Sequence, residues 1–173
     1  VLVGISNSFS DIAQFSRYYD QAQTALSFSK RFSYNKPLFY YLDYAFFVLL
    51  DHEDGSQTLD QYCHPALAKL QAYDEENNTE LFETLMLYTQ TGFSKSRTTK
   101  KLFLHRNSVA YRLQQIEEIC GIDLSDEKLL FTMQISFNIY IYQKKTLALS
   151  ELNAKKKKKA AKMLLPNAAD TRE

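Results

Sequence analysis

The sequence predicts a mainly α fold with a partial α+β segment at its N-terminus. Strand-like runs, VLVGIS and PLFYYLD, occur only within the first fifty residues. From HPALAKLQAYDEE onward the apolar residues recur at helical spacing instead. A late segment, LLFTMQISFNIYIY, is apolar nearly all round, which marks a helix buried on more than one side.

Taken in order, VLVGIS is short and β-branched, and the turn-prone NSFSD follows it. DIAQFSRYYDQAQTALSFSKRF carries Ile12, Phe15, Tyr19, Ala22 and Leu26 near helical spacing, so a first helix is expected. PLFYYLD reads as a second strand and YAFFVLLDH as a buried helix with Asp43 at its N-cap. Pro65 suits a first helical turn. NNTELFETLMLYTQT places Leu81, Leu85 and Tyr88 along one side of the next helix, and Gly92 suits a left-handed cap after it. SKSRTTKKLF then forms a short helix, LHR a tight connection, and NSVAYRLQQIEEIC a longer helix stopped by Gly121. Ser125 is the expected cap of the last helix. The tail from residue 146 to 173, with five consecutive lysines, reads as a solvated, frayed extension and receives no specific function.

Four segments follow: 1–50 as the end of an α+β domain, 51–76 as a helical connector, 77–145 as a helical domain, and 146–173 as the lysine-rich tail. Val1 opens inside a strand-like segment, so the chain reads as the C-terminal part of something longer.

Several function classes find no support. Cys63 and Cys120 stand far apart without CxxC spacing, which fits two thiols in a reducing cytosol better than a disulfide framework or a zinc site. No apolar run reaches membrane-spanning length and no signal peptide opens the chain, so a cytoplasmic protein without membrane partners is expected. DHED, at 51–54, groups a histidine with three acids, but successive residues rarely converge on a metal, and a solvated helix end is the better reading. No GxSxG, Walker loop, HExxH or Cys–His arrangement occurs. Neither catalysis, nor a cofactor, nor a metal is expected.

The informative charge lies between residues 94 and 120. A net charge of +1 conceals a stretch from Glu83 to Glu117 with no intervening Asp or Glu, in which Lys95, Arg97, Lys100 and Lys101 precede Arg106 and Arg112. Val109, Leu113, Ile116 and Cys120 fall on one side of the second helix, which should face a core. The opposite side brings up Asn107, Tyr111, Gln114 and Glu118, flanked by Ser108 and Gln115. Asparagine and glutamine can bond bidentately to adenine and arginine to guanine, while a helix N-terminus offers free amides to phosphate. Two helices joined by a tight turn, the second with a polar, basic leading end, make a helix-turn-helix whose second helix enters the major groove of DNA. Arg106, Asn107, Ser108 and Tyr111 are therefore the candidate base contacts. Lys95, Arg97, Lys100, Lys101 and Arg112 are the candidate phosphate contacts, with a structural salt bridge competing for Arg112. His105 reads as a turn or capping residue and not as a reader of bases.

ELFETLMLY followed by KKLFLHRNSVAYRLQQIEEICGIDLSD resembles the C-terminal helix-turn-helix of PucR-type transcription regulators, the group that includes the carbohydrate diacid regulators. VLVGIS, YDQAQTAL and FYYLDYAFFVLL resemble the closing part of the degenerate GGDEF-like domain that commonly precedes it, although no GGDEF or GGEEF signature is present. The family usually has threonine where this chain has Ser108 and alanine where it has Thr99. The resemblance implies a sequence-specific regulator that binds double-stranded DNA. Because LLFTMQISFNIYIY is apolar nearly all round and a lone helix-turn-helix contacts few base pairs, a homo-oligomer is expected, with the segment 126–142 and the upstream α+β segment contributing the subunit contact. Its effector is expected to bind an N-terminal region preceding Val1. The rival readings are a helical interaction module without DNA binding and, more remotely, an enzyme remnant.

Overall fold

The computed structural model describes residues 1–32, 36–51 and 59–164, with side chains through 158. It resolves into two compact units, one of Val1–Asp54 with Tyr142–Glu173 and the other of Gly55–Ile141.

In the first unit β1 (Val3–Ile5) pairs in parallel with β2 (Leu38–Tyr40), in the register Val3↔Leu38, Gly4↔Phe39 and Ile5↔Tyr40. Parallel neighbours need a long crossover, which here contains α1 (Phe15–Phe32) behind a 3₁₀ turn capped by Asp11. The helix comes so close to β1 that a Cβ on Gly4 would lie 2.1 Å from the Ala22 carbonyl oxygen and 2.8 Å from Leu26 Cγ. Only glycine allows that approach. Ala25, Phe28, Phe32, Phe39 and Tyr44 are buried, with the Phe32 and Phe47 rings 4.6 Å apart. Asp51, the last residue of α2 (Ala45–Asp51), accepts hydrogen bonds from Arg31 (2.8 Å) and from the Tyr142 hydroxyl.

The structure sets the buried side of α1 and corrects two expectations in this unit, the Asp43 cap and the burial of α2. The α1 stripe does not bury Ile12, Phe15 and Tyr19, which are 80%, 54% and 52% exposed; Ala25, Phe28, Ser29 and Phe32 are buried instead. The strands are only three residues long, so they meet the later turns of the helix and not its start. Asp43 closes a 3₁₀ turn, and Tyr44, not Asp43, immediately precedes α2. That helix is half-buried rather than buried, with Leu49 63% exposed.

The second unit is wholly helical among the described residues outside its 3₁₀ turn: α3 (Ala66–Asn77), α4 (Leu81–Gln90), α5 (Lys95–Leu102), α6 (Arg106–Cys120) and the first part of α7 (Glu127–Leu164). Leu81, Leu85 and Tyr88 face inward as their spacing predicts, and they join Leu70, Val109, Leu113, Ile116, Met133 and Phe137 in one core. Ala66, Leu67 and Leu70 of α3 belong to that core too. Asn78 turns left-handed to end α3, and Asp74 then caps α4 by accepting from the Leu81 (2.9 Å) and Phe82 (2.8 Å) amides.

α7 departs from expectation at both ends. Asp126 caps it, accepting from the Lys128 amide at 2.9 Å, whereas Ser125 bonds back to Asp123 at 2.8 Å through its amide. The Ser125 hydroxyl, donating to Asp123 at 2.6 Å, and then its amide hold the Asp123 carboxyl below its usual pKa. At the far end the helix does not fray after residue 146 but continues through the lysine run to Leu164. Lysine and alanine are good helix formers, and extending an existing helix needs no new nucleus. Residues 165–173 of the tail lie outside the described residues.

Candidate nucleic-acid interface

Gly92 (φ 63°) terminates α4 in the left-handed conformation, and the Phe93 amide reaches back to the Tyr88 carbonyl at 2.9 Å. Ser94 then caps α5, its hydroxyl accepting from the Arg97 amide at 3.4 Å. The α4–α5 corner is locked from inside: the Thr98 side chain, fully buried, donates to the Ser94 carbonyl (2.9 Å) and shares a hydrogen bond with Thr91 (2.7 Å). Sequence reasoning misses this pair. The available signal is the i,i+4 spacing of Thr98 with Leu102, which puts Thr98 on the inner side of a helix otherwise made of cations and hydroxyls.

α5 ends at Phe103 in the left-handed conformation, and His105 begins α6, its Nδ1 accepting from the Asn107 amide at 3.3 Å. His105 is thus a cap, as expected. Val109, Leu113 and Ile116 are buried and fix the back of α6, while Gly121 (φ 66°) ends it. Thr99, the residue replacing the usual alanine, is half-buried, and its hydroxyl returns to the Lys95 carbonyl at 2.8 Å.

With the back of α6 fixed, Arg106, Asn107, Ser108 and Tyr111 are exposed, while Lys95, Arg97, Lys100 and Lys101 stand on the outer side of α5. Arg106 and Asn107 line a groove of about 530 Å³ together with Lys95, Ser96, Thr99, Lys100 and Ala110. Ser108 and Tyr111 line a second depression, of about 430 Å³, whose far side is the α3–α4 corner at Asn78, Thr79 and Glu80. The two sides of α6 therefore differ: Lys95, Lys100 and Arg106 stand along the first with no acid, whereas the second holds Glu80 together with Arg112.

Arg112 behaves differently from the other cations. Its guanidinium donates to Thr84 Oγ1 (3.1 Å) and pairs with Glu80 (3.1 Å), and its side chain is 24% exposed. These contacts brace α6 against α4. Because Glu80 is largely solvated, Arg112→Ala should cost only about 1 kcal/mol in a urea titration, through the neutral and charged hydrogen bonds together.

Other reactive side chains do not gather here. Burial raises the pKa of the Cys63 thiol, with Asp60 adding to the shift, and burial likewise raises that of Cys120 against a small opposing effect of Lys69. Thiols displaced in that direction are not activated nucleophiles. Among the described residues no group of His, Cys, Asp and Glu could hold a metal ion; of DHED only Asp51 is described, and His52, Glu53 and Asp54 lie outside. Among the same residues no helix is long and apolar enough to cross a membrane.

Residues 81–139, which contain α4, α5, α6 and the first turns of α7, match the PucR C-terminal helix-turn-helix domain. The chain is 31% identical to the carbohydrate diacid regulator of Escherichia coli over 138 residues, 79% of this chain and 35% of that protein. It is 28% identical to the proline-responsive transcriptional activator PutR of Bacillus subtilis over 127 residues, 73% of this chain and 31% of that one. With the DNA-binding transcriptional activator AdeR of Bacillus subtilis it shares 28% over 137 residues, 79% and 32% of the two chains. The chain thus spans about a third of the length of these relatives. No solved structure matches it. The buried stripe of α6, the capped turn before it and the match over 81–139 agree, and residues 81–139 form a PucR-type C-terminal helix-turn-helix domain.

Proposed function

We propose that this chain is the C-terminal, DNA-binding portion of a cytoplasmic transcription regulator, without catalytic activity, and that α6 reads the major groove. The observation that carries the reading is the acid-free surface formed by α5 and the leading end of α6, with Arg106 and Asn107 on one groove beside Lys95 and Lys100. Arg106, Asn107, Ser108 and Tyr111 face bases. Lys95, Arg97, Lys100 and Lys101 face phosphates, and Arg112 positions α6 through Glu80 and Thr84 instead of meeting DNA.

The first unit is read as the end of a GGDEF-like α+β domain, with the effector bound further upstream. A single helix-turn-helix contacts few base pairs, so the working species is a homo-oligomer on an inverted repeat with half-sites about one helical turn, or a multiple, apart. The segment 126–142 offers such a contact less surface than its apolar sequence implies, because Met133 and Phe137 belong to the chain's own core and Phe131 is the large apolar side chain exposed there.

Replacing Lys100 and Lys101 by alanine tests the reading. Binding to all duplexes should weaken alike, and the slope of log K against log salt should flatten by about one unit for each phosphate no longer neutralised. An unchanged slope would remove both lysines from the interface and favour a solvated helical module.

A further inference from the structure

Among the described residues, three other than glycine hold a left-handed backbone: Asn78 (φ 52°), Phe93 (φ 56°) and Phe103 (φ 53°). Asparagine is a common occupant of that region, since its short polar side chain can bond locally. Phe93 is compensated by packing, with its ring 5.6 Å from that of Tyr88 and set edge-on against the helical core. Among the described residues Phe103 has neither compensation. The cap itself requires the conformation, because it brings the Phe103 and Leu104 amides to the Thr99 carbonyl. Glycine would serve that cap without strain. Yet the position carries a phenylalanine that is 95% exposed, while Leu102 and Leu104 on either side pack against the core.

A singly exposed apolar side chain is ordinary on a protein surface. One held there at a strained backbone, in the turn of a helix-turn-helix, is not, and unfavourable local conformations cluster where a ligand is met. The surroundings indicate which ligand. Lys100 and Lys101 occupy the last turn of α5 just before Phe103, and the His105 cap and Arg106 follow just after it. The ring is therefore rooted within about 10 Å of the Arg106 backbone at the leading end of α6, given the reach of three residues. A nucleic-acid strand alternates phosphates, which suit those cations, with the apolar faces of its sugars. A protein partner over the same ring would have to cover the cationic surface instead.

We infer that Phe103 packs its ring on a deoxyribose of the strand whose phosphates Lys100 and Lys101 meet, setting how deep α6 enters the groove. This rests on the DNA-binding reading above. The test compares Phe103→Gly, Phe103→Asn and Phe103→Tyr with the wild type in the 173-residue chain. Fluorescence anisotropy is measured on a duplex selected from a random pool and on a random duplex, each over a salt series, together with thermal melting. Glycine and asparagine keep the left-handed turn, so both variants should melt at or above the wild-type temperature. Both should bind the selected and random duplexes about fivefold more weakly, corresponding to about 1 kcal/mol. The salt slope should not change, because no charge is removed. Tyrosine should bind as the wild type does. Wild-type affinity in the folded glycine and asparagine variants would overturn the inference and leave the ring for a protein partner. A loss confined to the selected duplex would also overturn it, moving the ring from a sugar to a base methyl. A wild-type chain that binds neither duplex would refute the DNA-binding reading itself, whatever the variants do.

Discussion

Ile116→Ala should lower the unfolding free energy by about 2–5 kcal/mol, the cost of the buried apolar atoms removed and the cavity left behind. Ile116 is fully buried on the back of α6, in a core with Leu70, Leu85, Met133 and Phe137. Domains have about 5–15 kcal/mol in total, so a large part of the stability is at stake at one position. Because the same residue fixes which side of α6 faces outward, loss of DNA binding should track the unfolded fraction and be recovered on cooling toward the temperature of maximum stability. Urea denaturation followed by circular dichroism measures it. A change well under about 1 kcal/mol would mean that the back of α6 is not a core face.

The second large effect concerns recognition. Arg106→Ala and Asn107→Ala should each cost about 1–3 kcal/mol on the preferred duplex and little on random DNA, the expected loss for a bidentate base contact. Both side chains are exposed at the leading end of α6 and stand outside the core, so melting should hardly move. Asn107 contributes its backbone amide, not its side chain, to the His105 cap, and alanine keeps that amide. Equal losses on preferred and random duplexes would reassign both residues to the backbone.

The helix-turn-helix is legible in the sequence because its signals are local. Val109, Leu113 and Ile116 recur with the helical period, and Gly92 and Gly121 mark the left-handed ends where side chains are disfavoured. Caps are legible only to within a residue or so: Asp126 acts in place of Ser125, since both are good N-caps and only the backbone geometry selects between them. What depends on distant partners is not legible. The stripe of Ile12, Phe15 and Tyr19 has the right period for a buried face, but three-residue strands leave it uncovered. Arg112 resembles a phosphate ligand by its position along α6, yet its guanidinium is held by Glu80 and Thr84, 32 and 28 residues earlier in the chain. Phe103 passes for one more apolar residue of a short helix, because neither its exposure nor its positive φ can be read from residue types.

The most direct measurement is selection of duplexes from a random pool by the 173-residue chain, followed by competition of the enriched duplex against random DNA at physiological salt. The expected result is an enriched motif bound at least about 10³-fold more tightly than random duplex, the lower end for specific regulators. That preference should fall by about 5- to 150-fold in the Asn107→Ala chain while it remains folded, the equivalent of about 1–3 kcal/mol. A folded wild-type chain that enriches no motif, and whose binding to DNA does not fall with salt, would contradict the assignment of α6 as a reader of the major groove.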